Sequence, residues 1–437
     1  GLDFKPFDIS LYQNAFVHKS YCHKKLLELE EGTEIVDKPE GALPLQENDN
    51  LSAKYQCRVL LKREDLQLGR SYKIRGAFNK MSSLNKVEIS KGVVCASAGN
   101  HAQGVALSCA KLKIKGTIFM PKTTPQQKVD KVGQFGKEFI EIILIGDTFD
   151  DAYADARLHQ EDTGKIFIPP FDDQKIIEGQ ATVGKEIYEQ ENGHIDYVFI
   201  PIGGGGLSAG VGSYFKQVSP ETKIIGVEPA GAASMKLSFE KGEVTRLENL
   251  DKFVDGAAVA KVGQLNFQIC QEVVDEISVV EEGKTCTVIL QMYNDDAIVV
   301  EPSGALSIGV LDKYKDQIKG KTIVCIVSGG NNDITRMEEI KERSMLFEGL
   351  KHYFIVNFPR RAGSFKDFVN SILGPNDEIS FFEYNSKKTS GDTVPGMVGV
   401  ELMQKDDLKQ IIKKLDANSF SYELINENKM LFDYLVK

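Results

Sequence analysis

The chain has 437 residues, 42% hydrophobic and 27% charged, enough for large cores with no metal or disulfide staple, and at roughly 150 residues per unit it holds about three folding units. Its net charge of -10 repels polyanions and argues against a general nucleic-acid or membrane-surface binder. Seven cysteines, an odd number with no Cys-x-x-Cys pair, fit a reducing compartment; with no apolar run near the ~20 residues that span a bilayer and no signal-peptide core, the chain reads as soluble and cytoplasmic.

Residues 1 to about 45 carry scattered charge and weak periodicity. A strand is predicted at 58–62, and from about residue 70 helices and short apolar strands alternate. Strands are expected at 92–96, 117–120, 139–145, 197–200, 223–227 and 322–327, with helices at 101–112, 125–133, 150–163 and 178–191 between them. Short, fully apolar strands that alternate with helices indicate parallel sheets covered on both faces. Near 338–347 the texture changes, and a charged helix at 337–345 reads as a connector. The tail then runs strand 353–357, helix 364–373, strand 379–384, strand 398–402, helix 406–415, strand 422–425, the split β-α-β order of an α+β ferredoxin-like domain.

Four stretches carry chemistry. In Ser71-Tyr72-Lys73-Ile74-Arg75-Gly76-Ala77 a lysine follows a loop and opens a helix, where it reads either as a solvated surface lysine or as an amine able to form a Schiff base and carry protons. Ser97-Ala98-Gly99-Asn100-His101-Ala102-Gln103-Gly104 joins a strand to a helix; it is either a helix cap or an anion site suited to a carboxylate, with His101 a packed helix residue. Gly203-Gly204-Gly205-Gly206-Leu207 also joins a strand to a helix. Its glycines let backbone N–H groups wrap a phosphate; no Gly-Lys-Ser/Thr follows, and the spacing is not that of a dinucleotide-binding turn. Ser328-Gly329-Gly330-Asn331-Asn332, after the last strand, is a turn or part of a ligand site at a strand end.

Together, and in this order, the four stretches resemble the threonine dehydratase group of fold-type II pyridoxal-phosphate enzymes. Leu61-Lys-Arg-Glu-Asp65, Ile118-Phe-Met-Pro-Lys122, Thr124-Pro-Gln-Gln-Lys128 and Glu301-Pro-Ser-Gly-Ala305 add to the likeness, which runs from about Pro44 to the C-terminus. The resemblance implies an α/β, two-lobed catalytic domain over 46–340, with a smaller lobe at about 90–190 inserted, an N-terminal arm over 1–45 and an ACT-like regulatory domain over 347–437. It implies pyridoxal 5′-phosphate as cofactor, and no metal. Lys73 is then the Schiff-base lysine and Tyr72 the aromatic neighbour of the ring. Asn100 bonds the ring hydroxyl, Gly203, Gly204, Gly205, Gly206 and Leu207 hold the phosphate, and Ser328 faces the pyridine nitrogen. Ser97, Gly99, Asn100 and His101 cup the substrate carboxylate.

The implied reaction is dehydration and deamination of L-threonine to 2-oxobutanoate and ammonia, the first step toward isoleucine. Serine racemase relatives carry a serine where this chain has Ala98, so racemisation is disfavoured. Feedback by isoleucine with relief by valine, and a homotetramer, are further expectations from the resemblance. Phe358-Pro-Arg-Arg-Ala-Gly-Ser364 departs from the family's turn in having Ala362 for proline. A serine/threonine dehydratase of broad specificity and a non-catalytic amino-acid sensor are the alternatives. The segment from Phe7 to Cys22 looks like the opening helix of ribonuclease III proteins, but that family's acidic string is absent, so it reads as a short amphipathic arm.

Overall fold

The computed structural model describes residues 43–384, 391–426, 428 and 430–432. The N-terminal arm proper, the ribonuclease-like segment and the last residues of the tail therefore lie outside the described residues. The described residues divide into two compact units, one of those up to 282 with 291–333, the other of 283–290 with those from 334 onward.

The first unit holds two sheets. Strands β1 (Leu45–Glu47), β2 (Arg58–Arg63), β3 (Val93–Ala96), β4 (Gly116–Met120), β5 (Ile140–Leu144), β6 (Ile166–Phe167), β7 (Tyr197–Pro201), β8 (Lys223–Pro229), β9 (Glu276–Val280) and β10 (Thr322–Val327) supply them. The larger sheet has the order β1-β2-β10-β7-β8-β9, and the smaller β5-β4-β3-β6. All pairings are parallel except β1 on β2. β3, β4, β7 and β10 are buried along nearly their whole length, which is why they are nearly continuous apolar runs, while β2 is as deeply buried but carries Lys62 and Arg63, each paired with an acid. In the larger sheet Leu60, Val198, Ile200, Val324 and Ile326 form one core with Leu207, Val211, Phe215, Phe267 and Cys270 of the helices Gly206–Val218 and Gln264–Val273. The smaller sheet packs Val93, Cys95, Ile118 and Met120 against Ala102, Val105, Ala106 and Cys109 of the helix Asn100–Leu112.

Two close approaches seat the helix Lys73–Ser82. Side chains at Gly76 and Gly179 cannot exist there: a Cβ at Gly179 would lie 2.7 Å from the Gly76 Cα, and one at Gly76 would lie 2.4 Å from Gln180 Nε2. Gly104 of the Asn100–Leu112 helix faces Lys73 itself, with a Cβ there 3.3 Å from the Lys73 carbonyl carbon. A buried ionic cluster pins the same helix from behind. Arg75 Nε and Nη2 donate to Glu64 (2.8 Å each), and its Nη1 and Nη2 donate to Glu186 at 2.9 and 2.8 Å. Lys62 Nζ donates to Glu186 at 2.7 Å.

The second unit contains β11 (Lys351–Pro359), β12 (Glu378–Tyr384), β13 (Thr393–Glu401) and β14 (Ser421–Leu424), with helices Ser364–Ile372 and Asp407–Ala417. The sheet order is β12-β13-β11-β14, all antiparallel, which is the topology expected of a ferredoxin-like domain. Phe358 (1% exposed) and Phe368 (1%) anchor its core. The Arg361–Gly363 turn needs only its glycine: Gly363 has φ +85° and Ala362 takes an ordinary conformation.

Some elements went unpredicted. β1, β9 and the helices Asp49–Tyr55, Lys86–Lys91, Ser234–Lys241, Gln264–Val273, Glu282–Asp296, Pro302–Gly309 and Leu311–Ile318 have no counterpart in the sequence reading. The six described cysteines are free and buried, and no helix among the described residues is long and apolar enough to cross a membrane.

Candidate active site

A cavity of about 1330 Å³ opens at the C-terminal ends of strands from both sheets. Tyr72, Lys73, Ser97, Gly99, Asn100, His101, Gly203, Gly204 and Ser328 all line it. The four separate motifs therefore meet at one place, although more than 250 residues separate Lys73 from Ser328 in sequence. Gly205, Gly206 and Leu207 lie beneath the lining: Gly205 caps and Gly206 opens the Gly206–Val218 helix, and Leu207 packs in the larger sheet's core.

Lys73 is presented by the first residue of its helix. The preceding chain is tied to the last motif by a Ser71–Gly329 bridge and by Tyr72 N donating to the Ser328 carbonyl at 3.2 Å. Lys73 Nζ donates to the Pro170 carbonyl at 2.8 Å and sits 5.3 and 5.9 Å from the ring centres of Tyr72 and Phe171. Burial brings its pKa down to about 8, with the Glu301 carboxylate pulling the other way. Burial and the Glu301 charge push the Tyr72 phenol well above its ordinary value.

The turn at 97–100 leads into the Asn100–Leu112 helix. Gly99 is its N-cap and has no side chain to cap it, and Gly99 N donates to Ser97 Oγ at 3.2 Å. The first-turn donors are thus free to meet an anion. His101 is a packed helix residue, as read from the sequence: it is 4% exposed, and its Nε2 lies 2.8 Å from the Ile168 carbonyl. Burial, with the Lys73 charge adding to it, brings its pKa to about 3, so its imidazole is neutral.

The glycine turn fits a phosphate. A Cβ on Gly203 would lie 3.1 Å from the Ala257 Cα, and one on Gly204 would lie 2.2 Å from the Phe171 ring. Gly205 has φ +93°, where L side chains are strained. The helix that follows has no side-chain cap, and Ser208 Oγ, buried in its first turn, has no partner among the described residues. Backbone donors, helix dipole and an unused hydroxyl are the donor set an anion takes. The Gly204 carbonyl is already held, by Asn266 Nδ2 at 2.7 Å and Gly263 N at 3.2 Å, which fixes the turn. A neutral-prone lysine, an anion cradle and a hydroxyl at a strand end in one cavity match what pyridoxal phosphate requires, so the residues fit that group.

Sequence reasoning missed five participants. Phe171 and Pro170, in the Pro-Pro-Phe-Asp-Asp run after β6, stand between Lys73 and the glycine turn. Asp172 of the same run accepts from Gln264, Leu265 and Asn266 N, capping the Gln264–Val273 helix. Glu301 and Asn331 bind Asn100: its Nδ2 donates to both Glu301 oxygens at 2.8 and 3.0 Å, and Asn331 Nδ2 donates to its Oδ1 at 2.8 Å. The double proline was a usable signal for a rigid wall, whereas an acid before a proline reads as a helix start and gave no warning.

Comparison with known proteins agrees with this geometry. The family described as pyridoxal-phosphate dependent enzyme matches residues 36–329, and the C-terminal regulatory domain of threonine dehydratase matches 342–435. The chain is similar to a protein of Halalkalibacterium halodurans named biosynthetic L-threonine dehydratase, 56% identical over 90% of this chain and 94% of the relative. A Bacillus subtilis protein of the same name is 55% identical over 90% and 93%. Among solved structures, the processed form of threonine deaminase isoform 2 from Solanum lycopersicum superposes with a TM-score of 0.69, at 41% identity over 77% of this chain and 94% of that one. The chain belongs to the pyridoxal-phosphate-dependent enzymes, within the threonine dehydratase group that carries a C-terminal regulatory domain.

Proposed function

We propose that the chain converts L-threonine to 2-oxobutanoate and ammonia, as the names of its relatives state for them, and that the residues singled out from sequence do this work. The observation that carries the reading is that the Lys73 amine, the 97–101 turn, the glycine turn and Ser328 share one cavity. Its size exceeds the ~300–1,000 Å³ of ordinary small-molecule sites, which leaves room for a cofactor and a substrate together.

When bound, pyridoxal phosphate supplies an electron sink for the electrons of the substrate's Cα–H bond. The chain supplies the rest. Gly203, Gly204, Gly205, Gly206 and Leu207 present the start of the Gly206–Val218 helix to the phosphate. Ser97, Gly99, Asn100 and His101 present the start of the Asn100–Leu112 helix to the substrate carboxylate, and the neutral His101 adds no proton of its own. Lys73, with its pKa near 8, takes the α-proton. Tyr72 would flank the cofactor's ring, Asn100 would offer its amide to the ring hydroxyl, and Ser328 would meet the ring nitrogen with a hydroxyl, a partner that does not require that nitrogen to stay protonated. The β-hydroxyl then leaves with a proton as water, and the released enamine takes up water to give 2-oxobutanoate and ammonia. Ala98 leaves the opposite face without a proton donor, which favours elimination over racemisation.

The regulatory part of the proposal is that isoleucine binds the 347–437 domain and lowers activity, that valine relieves this, that the protein is a tetramer and that it works in the cytoplasm. Release of 2-oxo acid from threonine and from serine, followed beside the visible absorbance of the purified protein, tests the reaction. A colourless protein that releases no 2-oxo acid overturns it, and serine turned over as well as threonine moves the reading to the broad-specificity dehydratase. Heat exchanged on titrating isoleucine into the full chain tests the regulation; no heat and no inhibition reject it.

A further inference from the structure

Glu301 precedes the Pro302–Gly309 helix, yet its side chain does not cap that helix. It is 6% exposed, and the groups that donate to it are uncharged: Asn100 Nδ2 at 2.8 and 3.0 Å, Ser303 Oγ at 2.7 Å and Asn331 N at 3.2 Å. Two glycines keep room for it, since a Cβ on Gly329 would lie 2.6 Å from Oε1 and one on Gly256 3.3 Å. Burying a carboxylate against neutral donors is costly, so the arrangement calls for a reason beyond packing.

The reason lies in what a carboxylate can accept. The two ends of an asparagine amide have nearly the same shape; burial raises the Glu301 pKa, while the bonds from Asn100, Ser303 and Asn331 favour its ionised form, which is an acceptor only. It admits Asn100 with Nδ2 toward it, which turns Oδ1 toward the Asn331 Nδ2 donor 2.8 Å away. Asn331 is held in turn by Gly69 O at 2.9 Å and Gln103 Oε1 at 3.2 Å. We infer that Glu301 is a positioning residue of this site, one that fixes the facing of the Asn100 amide and so the edge that Asn100 offers to the bound cofactor. This rests on reading the cavity as a pyridoxal-phosphate site.

The titratable groups whose charge Glu301 feels or imposes are Tyr72 and Lys73 at the start of their helix, Lys131 on the Gln126–Gly136 helix and Asp255 on the loop before Ala257. A glutamine at 301 keeps the shape, offers a donor and an acceptor alike, and removes the charge that supports the Lys73 ammonium.

The test is a double-mutant cycle on the full chain, stripped of cofactor and titrated with pyridoxal 5′-phosphate. Loss of a charged hydrogen-bond partner should make Glu301→Gln weaken uptake by about tenfold in the wild-type background. In an Asn100→Ala background the same change should cost less than about twofold, because the two act as one unit. Glu301→Gln should also lower the pH at which the Lys73 amine of the apoprotein titrates, a shift that lost packing alone does not produce. Equal effects in both backgrounds, or an unmoved Lys73 titration, overturn the inference. If Glu301→Gln does not fold, the cycle run with Glu301→Asp, which retains the charge on a shorter arm, decides it by the same non-additivity. Wild-type protein that takes up no pyridoxal phosphate overturns the cofactor reading as well, whereas uptake by wild type with an additive cycle overturns the role of Glu301 alone.

Discussion

Lys73 sets a quantitative expectation for the apoprotein. With a pKa near 8 in place of 10.5, about a tenth of its amine is neutral at pH 7, against roughly three parts in ten thousand for an ordinary lysine. The neutral fraction is thus raised ~300-fold, and the neutral amine is the form that attacks an aldehyde. The perturbation is a pH series from 6 to 10 on apoprotein exposed briefly to a small amine-reactive aldehyde and trapped by borohydride. Labelling of the peptide that contains Lys73 is read by mass spectrometry beside that of surface lysines. Lys73 labelling should rise through a midpoint near pH 8 and level off, while surface lysines continue to climb toward their higher midpoints. The sign is fixed by burial: a cavity wall disfavours the ammonium, so the midpoint moves down. Lys73→Ala should abolish the labelling with a midpoint near pH 8 and the visible band of the cofactor-loaded protein. A Lys73 that labels in step with the surface lysines refutes the argument, as does full activity in Lys73→Ala.

Other expectations follow from the same packing. Gly204→Ala puts a methyl 2.2 Å from the Phe171 ring, so the ring must move; overpacking of about 1–3 kcal/mol should appear as a lower melting temperature, with pyridoxal-phosphate uptake weakened tenfold or more in a cofactor titration. Arg75→Met leaves Glu64 and Glu186 without their shared guanidinium and should cost about 3–5 kcal/mol in urea unfolding. The His101 imidazole should show no titration between pH 5 and 8 in nuclear magnetic resonance spectra of the apoprotein, since its pKa is about 3; a midpoint near the ordinary 6.5 would contradict its burial. Phe358→Ala removes a buried ring that meets Phe365, Phe368, Phe382, Tyr384 and Phe420, and should cost the tail domain about 3–5 kcal/mol and abolish the heat of isoleucine binding in calorimetry.

The parts of the fold that could be read in advance are those whose residues answer to one environment. β3, β4, β7 and β10 are covered on both faces, so each is a short apolar run with no competing pattern. β1 is three residues long and exists because the β2 backbone offers it an edge, which no residue of Leu45-Gln-Glu47 announces. β9 reads Glu276-Ile-Ser-Val-Val280 at a sheet edge, half exposed, and its pattern is too short to stand out from the helices on either side. In the site, glycine and lysine motifs were visible because their chemistry is local to a turn. Glu301 was not, because its meaning comes from Asn100, 201 residues away.

The same distance effect explains why Lys73 can be the reactive amine in a chain rich in acids. Two buried carboxylates stand on the elements that pack behind the Lys73–Ser82 helix, Glu64 and Glu186. Both are bound by Arg75, and Glu186 also by Lys62. The guanidinium keeps its charge at any working pH, so it can neutralise buried acids permanently, whereas burial lowers the pKa of Lys62 even with Glu186 beside it. Glu301 remains in the cavity, but its oxygens are turned to Asn100, Ser303 and Asn331, and Lys73 donates to a neutral carbonyl at Pro170. With the acids behind the helix bound by Arg75 and a neutral carbonyl as its own acceptor, Lys73 has desolvation as its largest influence, and that is the condition for a lysine that gives up its proton near neutral pH.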